Sequence, residues 1–367
     1  MKPETEAELA DMIAAATGPI CITGGGTRGV NLSGDVLETG RLSGITLYEP
    51  GSLTLVAQAG TQLAEIEAAL DGEGQRLAFE PMDHRGLMGT TGEPTIGGIV
   101  AANVSGPRRV SVGACRDFML GVRYVDGTGT VVKNGGRVMK NVTGYDLVKL
   151  MSGSWGTLGV LTEVSLKVLP KPETAACIMI DDLSDANAVR AMAKALGSPF
   201  EVSGAAHIPN GFGASPVTML RLEGFAGSVA YRAEQVAKLF GDQNVRIESD
   251  PEAVAKTWTW VRDVEAFHGA DGDVWRVSCT PSDAAELAGK MKANAVLYDW
   301  GGGLIWARVL TGTDLRARLG SFDGHATLVR GDAQSKFQPE PTPIAALSQG
   351  LRQRFDPKGI LNTGLMG

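Results

Sequence analysis

Leu9, Met12, Ile13 and Ala16 recur at the spacing of one helix face, and Gly18-Pro19 ends the pattern. Residues 19–23 predict a short strand feeding Gly24-Gly25-Gly26-Thr27-Arg28-Gly29. Residues 45–49 and 54–59 predict two strands joined at Pro50-Gly51-Ser52. Thr61 reads as the N-cap of a helix carried by Leu63, Ile66 and Leu70. After Pro81 the chain is turn-rich up to Thr95-Ile96-Gly97-Gly98, strand-like over 119–125 and 130–133, and β-rich again over 158–168.

The prolines at 170 and 172 mark the clearest boundary. Beyond them strands alternate with amphipathic helices. Ser184 is the expected cap of a helix bearing Val189, Met192, Ala193 and Leu196, and Ser228 of one bearing Ala233, Val236, Ala237 and Phe240. Strands are predicted over 217–222, 274–279, 295–299 and 304–309, with no clear internal repeat. A last helix carries Ile344, Leu347, Leu351 and Phe355 on one side, ahead of FDPKGILNTG. The expected fold class is α+β: a first domain over 1–172, a smaller, mostly antiparallel domain over 173–335, and a helix and tail over 336–367 returning to the first.

Composition narrows the chemistry. Of 367 residues 49 are glycine, 28 of them before position 173. Such clustering suits tight turns or backbone brought close to a phosphate. A net charge of −7 without a basic run argues against general nucleic-acid binding. Cys21, Cys115, Cys177 and Cys279 stand too far apart for a zinc or iron–sulfur site, and fit reduced thiols in a cytoplasmic protein. Glu4, Glu6, Glu8 and Asp11 spoil a signal peptide, and no apolar stretch has the length of a membrane span.

The first glycine loop satisfies GxGxxG after a strand, and Glu49 follows at the distance of a Rossmann ribose-binding acid. A Rossmann loop, however, must open directly into a helix. Residues 30–44 hold three glycines and two serines, and each glycine inside a helix costs about 1 kcal/mol against alanine. The loop is therefore expected to hold phosphate by its own amides. Two further small-residue stretches, 95–106 and 141–163, suit a long ligand lying along backbone, a whole FAD rather than one phosphate.

The motifs ITGGGTRG, EPMD, TIGGIVAANVSG and GYDLVKLMSGSWGTLGVLTEVSLKVLPKP resemble, in that order, the FAD-binding domain of the vanillyl-alcohol oxidase superfamily, in its D-lactate and glycolate dehydrogenase branch. FDPKGILNTG resembles the tail of the same proteins. The resemblance implies that Gly24, Gly25, Gly26, Thr27, Arg28 and Gly29 wrap the pyrophosphate. It implies that Pro81, Gly97, Gly98, Ala101, Asn103 and Ser105 line the isoalloxazine and ribityl chain. Gly156 and Val160 would lie near the adenine end, and Asn362 beside the pyrimidine side of the flavin ring. No histidine stands in the first loop and Cys115 has no tethering context, so FAD is expected to be non-covalent.

In that branch the second domain carries a metal held by histidines of a motif like GHxGDGNxH. The corresponding stretch here is Asp299-Trp300-Gly301-Gly302-Gly303-Leu304-Ile305-Trp306, with tryptophans where histidines would stand. An indole offers neither a lone pair to a metal nor a base near neutral pH. His84, His207, His268 and His325 have no metal-ligand spacing, so no metal site is expected. His84, Arg308 and Arg276 are the weak catalytic candidates. A flavin domain without its acid–base site resembles the reduced FAD-binding subunits of bacterial glycolate oxidase complexes. These work beside a full-length flavin subunit and an iron–sulfur subunit, and can be membrane-associated through them. The role so implied is electron transfer or accessory. A self-sufficient hydroxy acid dehydrogenase and a flavin-free scaffold are the alternatives.

Overall fold

Leu9 and Ile13 are fully buried on the helix Glu6–Ala15, whose first turn is capped by Thr5 accepting from the Glu8 amide. In the computed structural model, which describes residues 1–30, 32–136, 144–213 and 215–366, this helix packs with Ile20, Leu37, Val125, Val160, Ile360 and Leu361. The strand Ile20–Thr23 pairs in parallel with Asp35–Glu38. Between them runs the first glycine loop, and no helix follows it among the described residues. The tail joins the same unit: Ile20 donates to the Ile360 carbonyl, and Asn362 donates from its amide to Ile20.

A five-stranded antiparallel sheet forms the rest of the first domain, in the order Ile45–Glu49, Thr54–Gln58, Val160–Lys167, Met119–Val125, Val131–Gly135. Two local expectations change here. Gln62, not Thr61, precedes the helix Leu63–Gly72, because the Thr61 hydroxyl is taken by the Gln58 and Gly44 carbonyls. The glycine-rich 95–106 stretch contains a short helix, Ile96–Ala101, with Thr95 as its N-cap accepting from Gly98. Its two glycines cost helix propensity, but one of them allows close packing: a Cβ on Gly97 would stand 2.6 Å from that of Ala59.

The second domain is one eight-stranded antiparallel sheet. Its order is Val245–Glu248, Thr174–Asp181, Val217–Gly224, Gly204–Ile208, Ala295–Asp299, Leu304–Val309, Asp273–Cys279, Gly324–Arg330. It is a repeat that the sequence hides. Residues 174–248 and 273–330 each run strand–helix–strand–strand–helix–strand, and each half orders its strands fourth, first, third, second toward a join where His207 pairs with Tyr298. The equivalent helices are Asp185–Leu196 and Ala284–Met291, then Ala226–Lys238 and Leu315–Leu319. Their unequal lengths leave no fixed period to detect. Ser184 does precede its helix, whereas Phe225 rather than Ser228 precedes the next; the Ser228 hydroxyl accepts from Arg232.

The four helices cover the outer face of this sheet with a core around Ile178, Leu220, Trp275 and Ile305. The inner face packs Met179, Met219, Leu304 and Trp306 against the helix Pro251–Arg262 and against Met82 and Leu87 of the first domain. Alternation along each strand therefore directs Arg221, Glu223, Arg276, Ser278, His325 and Thr327 toward the first domain. The last helix, Thr342–Phe355, departs from expectation: none of its residues is buried, and Ile344, Leu347 and Leu351 are 48%, 68% and 38% exposed. Only Phe355 of that stripe reaches the core, against Tyr124. No helix among the described residues is long and apolar enough to cross a membrane.

Candidate functional site

The loop from Gly24 to Gly29 opens into a groove lined also by Gly97, Gly98, Ala101, Ala102, Trp155, Gly156, Val160 and Asn362, with no Asp or Glu among its walls. No backbone amide from Gly24 to Gly29 donates a hydrogen bond within the described residues. Backbone donors away from bulk water are nearly always paired, so a run of free ones marks a place for an anion. Arg28 adds a cation. Both of its terminal nitrogens donate to the Gly98 carbonyl, its Nε is buried without a partner, and burial lowers its pKa to about 10. Glu49, the acid a Rossmann reading requires, is exposed at the end of its strand and outside the groove.

The glycines serve different ends. A Cβ on Gly25 would fall 1.5 Å from the Glu93 carbonyl oxygen, so that glycine admits a neighbouring chain segment rather than a ligand. Gly26, at φ +67°, has open space at the same place. At the other end of the groove Asn362 accepts from the Ile22 amide and donates to the Trp155 carbonyl. A Cβ on Gly156 would meet Asn362 Nδ2 at 2.9 Å. Asn362 and Gly156 thus touch, and cannot attend opposite ends of one extended FAD as the resemblance implied.

Arg28, Ala102 and Trp155 are shared with a second cavity, a chamber of about 320 Å³ under the eight-stranded sheet of the second domain, which caps the first. Its walls hold His84, Asn103, Ser105, Arg109, Arg276, Ser278, Trp300, Trp306, His325, Thr327, Lys336 and Phe337. The cations fall into two groups. At the groove end, burial and then Arg28 push His84 down to about 3, so its imidazole is neutral, and burial and Arg28 lower Lys336. At the far end, burial and then Arg109 lower Arg276 to about 10, and burial, Arg276 and Arg109 lower His325. Four residues other than glycine at positive φ (Asn103, Trp155, Trp300 and Asn362) line these cavities, the kind of local strain that gathers where backbone must aim a group.

Of the residues named from sequence, the loop, Gly97, Gly98, Ala101, Gly156, Val160 and Asn362 meet in the groove, and His84, Arg276, Asn103 and Ser105 meet in the chamber. Asn103 and Ser105 are partly spent on their own loop: Asn103 Oδ1 accepts from Arg116, and the Ser105 hydroxyl donates to Asn103 and accepts from Cys115. Pro81 lines neither cavity. It faces a third, between the domains, with Glu80, Arg108 and Glu223. Arg308 is also outside the chamber, donating to the Asp271 carbonyl at the sheet's margin. His207 and His268 are held by Thr218 Oγ1 and the Asp263 carbonyl. Residues 141–143 of the third small-residue stretch lie outside the described residues. Cys115 is buried in the core, which raises its thiol pKa. The sequence reading missed Arg109, His325 and Lys336, whose only signal was charge without a local partner.

Pro81's neighbours tie the two domains together. Arg221 pairs with Glu80 through both terminal nitrogens at 2.9 and 3.0 Å and lies over Trp258 at 4.5 Å. Glu223 takes Arg76 and Arg108. Burial alone would raise both carboxyls; the surrounding arginines hold them below their ordinary range instead. Among the described residues no three His, Cys, Asp or Glu side chains stand together as metal ligands.

Comparison with known proteins identifies this architecture. The family model described as an FAD binding domain matches residues 1–135. Glycolate oxidase subunit GlcE of Escherichia coli is 37% identical over 95% of this chain and 92% of its own length. The chain belongs to the GlcE family. FAD is accordingly the cofactor of this chain, and the free amides of the groove and Arg28 have the chemistry to fit its pyrophosphate. D-lactate dehydrogenase of Anaerostipes hadrus and glycolate oxidase subunit GlcD of Bacillus subtilis are 36% and 35% identical, over 41% and 38% of this chain but only 30% and 28% of theirs. The GlcE-family fold as a whole superposes on alkyldihydroxyacetonephosphate synthase with a TM-score of 0.72, over 99% of this chain and 76% of that one, at 17% identity.

Proposed function

We propose that this chain is the FAD-binding E-type subunit of a complex that oxidises glycolate to glyoxylate, and that it binds FAD non-covalently. The full-length likeness to GlcE carries the reading. The complex would also hold a full-length flavin subunit of the GlcD kind and an iron–sulfur subunit. The bound flavin supplies a two-electron store. This chain's own residues hold it by the amides of Gly24–Gly29, screen it with Trp155, and set Arg28 and Lys336 where positive charge favours the reduced cofactor.

The chamber contains no strong base. Burial and Arg28 keep His84 neutral, and in the stretch that resembles the metal motif of the related dehydrogenases Trp300 and Trp306 stand in place of histidines. General base catalysis contributes roughly 10²–10⁴-fold, so the isolated subunit should reduce its flavin with glycolate very slowly. The purified chain should be yellow and should release FAD on acid precipitation; a colourless folded protein refutes the cofactor reading, and colour kept in the pellet refutes the non-covalent one. Anaerobic mixing with glycolate tests the subunit role. Bleaching within seconds by the lone chain would favour a self-sufficient dehydrogenase, whereas reduction only after adding the partner subunits supports the complex.

A further inference from the structure

Arginines at a domain junction are normally neutralised, and Arg76, Arg108, Arg221 and Arg262 here all are, by Glu223, Glu80 and Asp263. Two others are not. Arg109 from the first domain and Arg276 from the cap sheet lie 4.6 and 4.9 Å from the centre of the Trp300 ring. Among the described residues neither has a hydrogen-bond acceptor or an ion pair. No Asp or Glu lines their chamber. The acid behind Trp300, Asp299, accepts at Oδ1 from the Trp300 amide. Trp300 is itself fixed by a 3.0 Å bond from its Nε1 to the Gly106 carbonyl and stands at φ +52°. Two like charges are thus held on one rigid indole with their side-chain donors unspent, an arrangement that an anion would complete.

The neighbouring wall indicates which anion. Across the inner face of the cap sheet, Arg276 is paired with Trp306 on one side and Thr327 on the other, and Ser278 with His325. A cation, two hydroxyls and an imidazole therefore share one patch, facing the apolar walls of Met82, Trp306 and Phe337. A guanidinium recognises a carboxylate through paired N–H donors. The hydroxyls and the imidazole can hydrogen-bond an oxygen on the adjacent carbon. We propose that Arg109 and Arg276, one from each domain, form the carboxylate clamp of a metal-free site for a small 2-hydroxy or 2-keto acid, with Ser278, Thr327 and His325 reading its 2-oxygen. The proposal rests on the reading that this chain serves hydroxy acid oxidation. It adds that such a ligand occupies this subunit too, whether or not it is oxidised there. Because the clamp spans both domains, a bound acid also links cap to flavin domain.

The test is calorimetric titration of the FAD-loaded protein with glycolate, glyoxylate, acetate and inorganic phosphate, following tryptophan fluorescence in parallel. Glycolate and glyoxylate should bind and acetate more weakly, and added salt should weaken all three. Arg276→Gln and Arg109→Gln should each weaken binding about ten- to a hundredfold, and Arg276→Lys should restore part of the loss. FAD content and circular dichroism of each variant separate loss of the clamp from loss of fold. A variant that keeps its flavin and its affinity overturns the clamp while leaving the flavin reading intact. Equal affinity for acetate overturns the reading of the 2-oxygen, phosphate binding without carboxylate binding overturns the ligand class, and no binding of any probe at tens of millimolar overturns the site.

Discussion

Gly26 and Gly25 show why neighbouring glycines need different substitutions. At Gly26 the left-handed φ disfavours any side chain by about 1–2 kcal/mol, and the Cβ direction is open, so Gly26→Val should keep the fold and lose most of the FAD; absorbance at constant protein concentration measures it. Gly25→Val should instead displace the segment at Glu93 and lower the Tm along with FAD content. Asp299 gives a pH signature. Its ordinary pKa is 3.8, and burial raises it to about 7, so in the fold its ionisation is opposed. An unfolded chain loses that proton first, and the contribution of Asp299 to stability falls as pH rises from about 4 to 7. Asp299→Asn should flatten this part of a Tm-against-pH curve, and an unchanged slope would show that the carboxyl ionises freely. Residue by residue, the glycine loop and Asn362 were legible because they carry a motif. Arg109 and His325 were not, since only the packing of the first domain against the eight-stranded sheet brings them into one chamber.

At the scale of elements, alternation and turn signals sufficed for Ile20–Thr23 and the five-stranded sheet of the first domain but missed Asp35–Glu38, and the failed helix after Gly29 was enough to set a Rossmann loop aside. Residues 174–181 and 204–208 went unassigned although both are strands. They are buried on both faces and lack the alternation that marks a half-exposed one. The helix Thr342–Phe355 shows the converse. Its apolar stripe predicted burial, yet the stripe is exposed, and a helix of this length is marginal on its own. Leu347, 68% exposed, should tolerate Leu347→Glu with a stability change within about 0.5 kcal/mol. A larger loss in denaturant unfolding would mean that the helix packs onto the body in solution.

For the whole molecule, the interdomain arginines and glutamates decide how cap and flavin domain stay together. Arg221→Met should cost about 1–3 kcal/mol, because it removes one of the two arginines that pair with the buried Glu80 carboxylate and leaves only Arg108. Denaturant unfolding checks the size. Glu80 and Glu223 are held below their ordinary pKa of 4.5, so their contribution is complete above that value and disappears as acid protonates them in the folded state. Acid should therefore loosen the cap before it melts either sheet, and Tm measured downward from pH 5 should fall less steeply in a Glu80→Gln, Arg221→Met double variant. The path of the chain has one more consequence. The wall at Ile22 and Trp155 is completed by Asn362, which hydrogen-bonds both, so the groove is built from residues more than 300 positions apart. On the ribosome, the glycine loop emerges early and waits, with its amides facing water, until Asn362 has followed it. FAD arriving before Asn362 would meet a wall still missing one of its residues, so the complete groove forms late although its loop is made early.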